Sequence, residues 1–247
     1  MIDNIPAYPQ DFSAARLRVI RRERRPRELI DQKRNFLFAK RLIDVTFSLL
    51  FIGAVLSWLL PLLCLLIKLT SRGPAFFVQH RVGFGGRSFR CYKLRTMVVN
   101  NDADLLQATE HDERVTKLGR FLRRSNMDEF PQFFNILMGD MSLVGPRPHM
   151  YADCRHFSSM LPGYKVRNLV KPGLTGLAQV KGFHGPATTY NCIAMRYEWD
   201  KYYISHLSAG MDCTIIIKTI WQRFNAVFQS AAAPFEKAII EEKALSN

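Results

Sequence analysis

Residues 45–67 read VTFSLLFIGAVLSWLLPLLCLLI, a stretch without a charged side chain. A run of about 18 or more apolar residues is typical of a membrane helix, whereas a helix of a soluble domain usually keeps one polar face. Pro61 lacks the N–H that would bond to the carbonyl of Ser57, so we expect the helix to bend near its middle. The Ser57 hydroxyl is available to satisfy the freed backbone groups.

Basic residues flank this run on both sides. Lys33, Arg34, Lys40 and Arg41 precede it, and Lys68, Arg72, Arg81 and Arg87 follow it. Because positive charge favours the cytoplasmic side, both ends are predicted to lie in the cytoplasm, as they would in a bent re-entrant helix. An ordinary transmembrane helix with a tolerated proline kink is the alternative.

The whole chain is strongly basic, with a net charge of +14 and a pI of about 9.9. Its partners are therefore expected to be negative: nucleic acid, a membrane surface or a phosphorylated substrate. Residues 1–39 form an arginine-rich arm that could bind lipid headgroups or nucleic acid, or be disordered in solution. The five cysteines show no CxxC spacing and the six histidines form no ligand pair, which argues against a disulfide framework or structural zinc and for a reducing, cytosolic environment.

The segments that follow predict short elements joined by loops. AFFVQ (75–79) and SFRCYKL (88–94) form a predicted β-hairpin, and TKLGRFLRR (116–124) and DEFPQFFNILMG (128–139) form two predicted helices, with Asp128 at the start of the second. DMSLVGPRPHM (140–150) and KPGLTGLAQVKG (171–182) are predicted to be loops. The final predicted helix, 211–228, carries apolar residues at helical spacing, which would pack in the core or lie in the lipid interface: Ile216, Ile220, Phe224 and Val227.

Adjacent carboxylates, Asp128 and Glu129, follow a run that holds Arg120, Arg123 and Arg124. One interpretation is local, because acidic residues stabilise the first turn of a helix. The other is chemical: the carboxylates act on an anion that the arginines hold. Both remain open on the residues alone.

Three blocks in a fixed order resemble the bacterial sugar transferase family, the monotopic phosphoglycosyl transferases that start glycan assembly on a polyprenyl phosphate. They are YKLRTM (92–97), LRRSNMDEFPQFFNILMGDMSLVGPRP (122–148) and PGLTGLAQVKG (172–182). The resemblance implies an α+β, mostly helical fold: a proline-broken re-entrant membrane helix, then a small cytosolic catalytic domain with a short β-hairpin and amphipathic interfacial helices. The expected organisation is an arm (1–39), the membrane helix (40–72), the catalytic domain (73–230) and a C-terminal helix or tail (231–247), at the cytoplasmic face of the bacterial inner membrane.

The resemblance also implies a reaction. A UDP-sugar, with UDP-glucose or UDP-galactose favoured, would give its sugar-1-phosphate to undecaprenyl phosphate, with Mg²⁺ required and UMP released, as the first membrane step of exopolysaccharide or other glycan synthesis. Asp128 matches the family's nucleophile, which forms an aspartyl-phosphosugar, and Glu129 matches the acidic partner of that nucleophile. Both carboxylates are also expected to bind Mg²⁺. Further residues are expected to bind substrate: Arg123, Arg147 and Pro148, with Lys93 and Arg95 on one side of a strand.

Two other functions are weighed against this one. A metal-dependent phosphohydrolase would use the same site with water as acceptor. A membrane-tethered nucleic-acid-binding protein would need stacking aromatics or a helix-turn-helix pattern in the arm, and neither occurs, so no nucleic acid is expected. Where many family members carry an arginine after PGLTGLAQV, this chain has KGFHG, so Lys181 or His184 is expected to substitute or the contact is absent. Homo-oligomerisation stays open.

Overall fold

The computed structural model describes residues 30–99, 112–183, 185 and 189–226. The predictions for the arginine-rich part of the N-terminal arm, for His184, for Val227 and for the tail at 231–247 lie outside these residues.

The apolar run forms one continuous helical segment, Arg34–Thr70, of 37 residues. Within the described residues it is the one helix long and apolar enough to cross a membrane. It comprises α1 (Arg34–Phe51), a π-helical segment (Ile52–Leu56) and α2 (Ser57–Thr70). The departure from α-helical geometry thus begins before Pro61, which lies inside α2, and the Ser57 hydroxyl donates to the carbonyl of Gly53 at 2.7 Å.

A β-hairpin and two helices follow. Strands β1 (Phe76–Val82) and β2 (Ser88–Leu94) pair antiparallel, as the sequence predicts. Helix α3 (Lys117–Ser125) begins after Thr116, whose hydroxyl accepts from the Gly119 amide at 2.9 Å, and α4 (Gln132–Met138) ends at Gly139 in the left-handed conformation. A side chain at Gly139 would strain this φ of 95°, so glycine suits the end of α4.

The two segments predicted as loops contain a small sheet, which corrects that prediction. Strand β3 (Ser142–Val144) pairs in parallel with β4 (Gly173–Thr175). The backbones approach so closely that a Cβ added at Gly173 would lie 2.1 Å from the Gly145 nitrogen. A strand of three residues is too short to show an alternating pattern, which is why the sequence does not reveal it.

The remaining chain is helical: α5 (Tyr151–Met160), a 3₁₀ segment (Tyr164–Leu169), α6 (Leu177–Val180), α7 (Tyr190–Ser205) and α8 (209–226). The residues of the apolar stripe predicted for α8 lie in two different environments. Ile216 packs against the core, whereas Ile220 and Phe224 are exposed, together with Ile217 and Trp221. Packing in the core therefore does not explain the exposed apolar side chains of α8, and contact with the lipid interface remains the interpretation for them.

The long apolar helix contacts the rest of the protein at several points along its length. Leu56 belongs to the main core cluster, and Leu63 and Ile67 pack with Leu94 and Leu122 in a second one. Polar contacts add to this packing: the Asp44 carboxylate accepts from the Leu143 amide at 3.0 Å, and Lys40 pairs with Asp212 at 2.6 Å.

Arg41, also in α1, donates to the carbonyls of Ile136 and Leu137 at 2.5 and 2.9 Å. It thereby satisfies carbonyls that the end of α4 leaves without helical partners. The protein is mostly helical with small sheets, which confirms the predicted fold class at that level.

Candidate active site

A sharp turn between α3 and α4 presents the two carboxylates. Asn126 ends α3 in the left-handed conformation, with a φ of 57°, and Met127–Glu129 form a single 3₁₀ turn before Pro131 starts α4. Asp128 therefore lies in this turn and not in the first turn of α4 as predicted. The turn leaves Asp128 half-buried and Glu129 buried.

Glu129 is held between two cations from different elements. The Lys93 ammonium, on β2, lies 2.7 Å from Oε1, and the Arg147 guanidinium lies 2.8 Å from the same oxygen. Burial opposes ionisation of this carboxyl, but Arg147 and Lys93 together hold the pKa of Glu129 well below its usual range. Glu129 is therefore a permanent anion whose charge is already compensated.

Asp128 has the opposite character. Burial and the neighbouring negative charge of Glu129 raise the pKa of Asp128 to about 6, against the attraction of Lys93, Arg123 and Arg147. Within the described part of the chain its carboxylate accepts no hydrogen bond. Arg123 is fixed nearby, since its Nε donates to the Thr96 hydroxyl at 2.8 Å. The site thus contains one neutralised carboxylate and one that remains available for reaction.

The loop that carries Arg147 is held by residues that the sequence did not indicate. Arg167 donates to the Arg147 carbonyl at 2.7 Å and forms a buried ion pair with Asp200, also at 2.7 Å. Arg81 donates to the carbonyl of Pro148 at 3.1 Å. These contacts fix the backbone at Arg147 and immediately after it, and Pro148 contributes through its carbonyl. No local pattern singles out Arg167 or Asp200, because their role depends on contacts distant in sequence.

Arg95 does not join the cluster around Glu129, although it was expected to line the same pocket as Lys93. Its guanidinium is buried and donates to the carbonyls of Arg72 and Ser71 at 2.8 and 2.7 Å, just after the end of α2. Arg95 follows the last residue of β2, where the strand geometry behind the prediction no longer applies. It connects the end of the membrane helix to the strand next to Thr96.

Lys181, one of the two residues considered as a substitute for a family arginine, is exposed. Its ammonium lies 4.9 Å from the centre of the Trp199 ring, a cation–π contact. It is thus engaged with α7.

The carboxylate pair fits a hard cation shared with a substrate. In the described residues no group of three or more His, Cys, Asp or Glu side chains could hold a metal ion unaided. Mg²⁺, however, commonly uses one or two carboxylates together with substrate phosphates and water. Within the part of the chain that the structure describes, Asp128 accepts no hydrogen bond, and Oε2 of Glu129 accepts the long contacts of Arg147 and Asn126, both at 3.4 Å. Together these oxygens could hold Mg²⁺ once phosphate oxygens complete its shell.

Comparison with known proteins places this geometry in a family. The profile described as "Bacterial sugar transferase" matches residues 35–226, which include the membrane helix, both carboxylates and all the cations above. The chain belongs to the bacterial sugar transferase family. The resemblance of the three sequence blocks is thereby confirmed.

Relatives with assigned names are similar over about three quarters of the chain. A UDP-glucose:undecaprenyl-phosphate glucose-1-phosphate transferase of Klebsiella pneumoniae is 43% identical over 186 residues, which are 75% of this chain and 40% of that protein. A protein of the same name from Caulobacter vibrioides is 46% identical over 182 residues, 73% of this chain and 68% of the relative. The exopolysaccharide production protein PSS of Rhizobium leguminosarum bv. phaseoli is 39% identical over 189 residues, 74% of this chain and 94% of the relative.

Proposed function

We propose that this protein is a phosphoglycosyl transferase that moves a sugar-1-phosphate from a UDP-sugar to undecaprenyl phosphate through a covalent intermediate on Asp128. The observation that carries the proposal is the contrast within the carboxylate pair: Glu129 is neutralised by Lys93 and Arg147, whereas Asp128 forms no hydrogen bond or ion pair with the described residues and its pKa is raised. The family and the names of the relatives support the same reaction class.

In the first step an Asp128 oxygen attacks the phosphorus that bears the sugar. The bond from that phosphorus to the oxygen it shares with the uridine-bearing phosphate breaks, and UMP leaves. In the second step an oxygen of undecaprenyl phosphate attacks the same phosphorus, the acyl phosphate bond breaks, and the Asp128 carboxylate is restored. The covalent intermediate divides a transfer between two anions into two steps.

The cations of the site reduce the repulsion between an anionic nucleophile and an anionic diphosphate. Among the described residues Arg123 is anchored through Nε alone, so its terminal nitrogens can bind a phosphate oxygen. Arg147 and Lys93 hold Glu129 and also lie close enough to attract Asp128. Mg²⁺ held by Asp128 and Glu129 would neutralise further negative charge on the diphosphate.

The contacts of the membrane helix support a re-entrant arrangement on the cytoplasmic face of the inner membrane. A straight helix of 37 residues would be about 55 Å long, and a bilayer core is about 30 Å thick. Arg41 near its start contacts α4, and Ser71 and Arg72 just after its end contact Arg95, in the same domain. A simple span would separate these two ends by the thickness of the membrane.

The decisive experiment supplies the purified protein with a panel of UDP-sugars, Mg²⁺ and undecaprenyl phosphate. Release of UMP together with a lipid-linked sugar phosphate supports the transferase, and we expect UDP-glucose or UDP-galactose to be the best donor. Free sugar phosphate without a lipid product would instead identify a phosphohydrolase. A panel without any UMP release would refute both.

Topology is tested separately. Cysteines introduced at the exposed positions 35 and 72 should react with a membrane-impermeant thiol reagent from the same side of sealed vesicles. Labelling from opposite sides would establish a true span.

A further inference from the structure

Helix α8 lies directly beside the strand pair that leads into the loop of Arg147. The hydroxyls of Thr219 and Thr175 are 2.7 Å apart, and Gln222 donates to the Val180 carbonyl at 3.0 Å. Thr175 in turn accepts, through its carbonyl, from the Gly145 amide at 2.9 Å. This face of α8 is therefore fixed two residues along the chain from Arg147.

Arg223 projects from this same face, one helical turn after Thr219. Its side chain is half-buried. Burial lowers the pKa of Arg223, an effect that the negative charges of Glu129 and Asp128 oppose and the positive charge of Arg147 reinforces. These interactions agree with the packing of α8 through Thr219 and Gln222, which places Arg223 within the electrostatic environment of the carboxylate pair.

The other cations of the site already have partners, but Arg223 does not. Lys93 and Arg147 are bound to Glu129, and Arg123 is anchored on Thr96. Within the described residues the Arg223 guanidinium donates no hydrogen bond and forms no ion pair. A partly desolvated guanidinium without a partner is unfavourable, and a bound anion would compensate it.

We propose that Arg223 is a phosphate-binding residue of the active site, supplied by α8. The inference rests on the proposed function and adds a residue that the three family blocks do not contain. The ligand is a phosphate group, either the diphosphate of the nucleotide sugar or the phosphate of the polyprenyl lipid. The exposed apolar face of the same helix, with Ile217, Ile220 and Trp221, would bring this cation to the level of lipid headgroups.

The test compares Arg223→Gln and Arg223→Lys with a matched control, Lys218→Gln, in the full chain reconstituted in vesicles. Lys218 is an exposed cation of the same helix, so its removal changes the charge of α8 equally but away from the site. We expect Arg223→Gln to lower kcat/KM about 10- to 100-fold, the usual effect of losing one charge-assisted hydrogen bond. Arg223→Lys should recover part of this loss, and Lys218→Gln should stay within about twofold of the parent, as is usual for a surface change.

Two measurements identify which phosphate is bound. UMP formation without acceptor lipid reports on the first step, and the KM for undecaprenyl phosphate reports on the second. A slower first step in Arg223→Gln assigns Arg223 to the diphosphate, and a normal first step with a raised acceptor KM assigns it to the lipid phosphate. Both outcomes support the proposal.

The proposal is overturned if Arg223→Gln matches Lys218→Gln in both measurements. If the glutamine variant melts well below the parent, Arg223→Met, which keeps the length of the side chain without its charge, takes its place in the comparison. If the parent itself releases no UMP, the proposed function fails. Binding of UDP and of vesicles containing undecaprenyl phosphate is then measured for the parent and for Arg223→Gln, and equal affinities for both ligands reject the role of Arg223.

Discussion

Replacement of Glu129 by glutamine tests the division of roles between the two carboxylates. The substitution keeps the shape of the side chain but leaves Lys93 and Arg147 without their common anion in a buried site. Removing one partner of a buried ion pair typically costs about 3–5 kcal/mol. For a domain of this size the melting temperature should then fall by roughly 6 to 20 °C, at about 2–4 °C per kcal/mol.

The pH at which stability is measured matters for this variant. The pKa of Glu129 is depressed in the folded protein from an ordinary value of 4.5. The stabilisation from its ion pairs is therefore complete above about pH 5 and is lost as the pH falls through the folded-state pKa. At pH 7 the parent has all of it, so the comparison with the variant should be made there, with the exposed Glu113→Gln as control.

The same substitution should change the pH dependence of catalysis. Asp128 attacks only when ionised, so the rate of UMP release by the parent should rise with pH through a midpoint of about 6. Burial is the larger cause of this raised pKa and the charge of Glu129 is the second, so only part of the rise depends on Glu129. In Glu129→Gln the midpoint of the rise in rate with pH should therefore shift to lower pH by about 1–2 units. If the midpoint does not shift while the protein remains folded, Glu129 does not set the charge state of Asp128 and the reasoning fails.

Three further predictions concern single side chains. Asp128→Asn should abolish turnover, and activity in this variant would exclude Asp128 as the nucleophile. When the parent protein is incubated with donor and Mg²⁺ but without lipid, intact-mass spectrometry should show an added sugar phosphate. Arg123→Ala should lower the rate of UMP release about 10²-fold with little change in melting temperature, as loss of a preorganised donor does elsewhere; a large drop in melting temperature would make this arginine structural. Gly119→Ala should destabilise the protein by about 1–3 kcal/mol or more, because the new Cβ would lie 1.9 Å from the Thr96 carbonyl oxygen. The control Gly210→Ala should be tolerated, because a Cβ there would have no atom within 4 Å. Equal melting temperatures for the two variants would contradict the observed packing.

The elements that could be predicted from the sequence are those with local signals. The hairpin, α3 and the membrane helix each combine a periodic or continuous apolar pattern with turn or cap residues inside one short segment. The pair β3–β4 could not be predicted in this way. Its strands have three residues each, and Ser142 pairs with Gly173 through a contact that only the folded chain creates.

The candidate site shows the same limit. Asp128, Glu129 and Arg147 lie in blocks that the family resemblance identifies, and the structure brings Lys93 and Arg147 to Glu129. Arg95 was assigned to the pocket from its spacing to Lys93, yet it turns towards Ser71 and Arg72. Arg223 carried no signal, because its position depends on how α8 packs against β4 and α6.

In the proposed re-entrant arrangement, contacts at both ends of the long apolar helix would fix the depth of the active site relative to the membrane. Arg41 fixes its beginning to α4, and Arg95 fixes the residues after its end to β2. Helices that are free to tilt can adjust to bilayers of different thickness, but this one cannot tilt without moving the domain. In that proposed arrangement the surrounding lipids would deform to match the helix, and the fold would set the height above the acyl chains at which an acceptor phosphate meets Asp128.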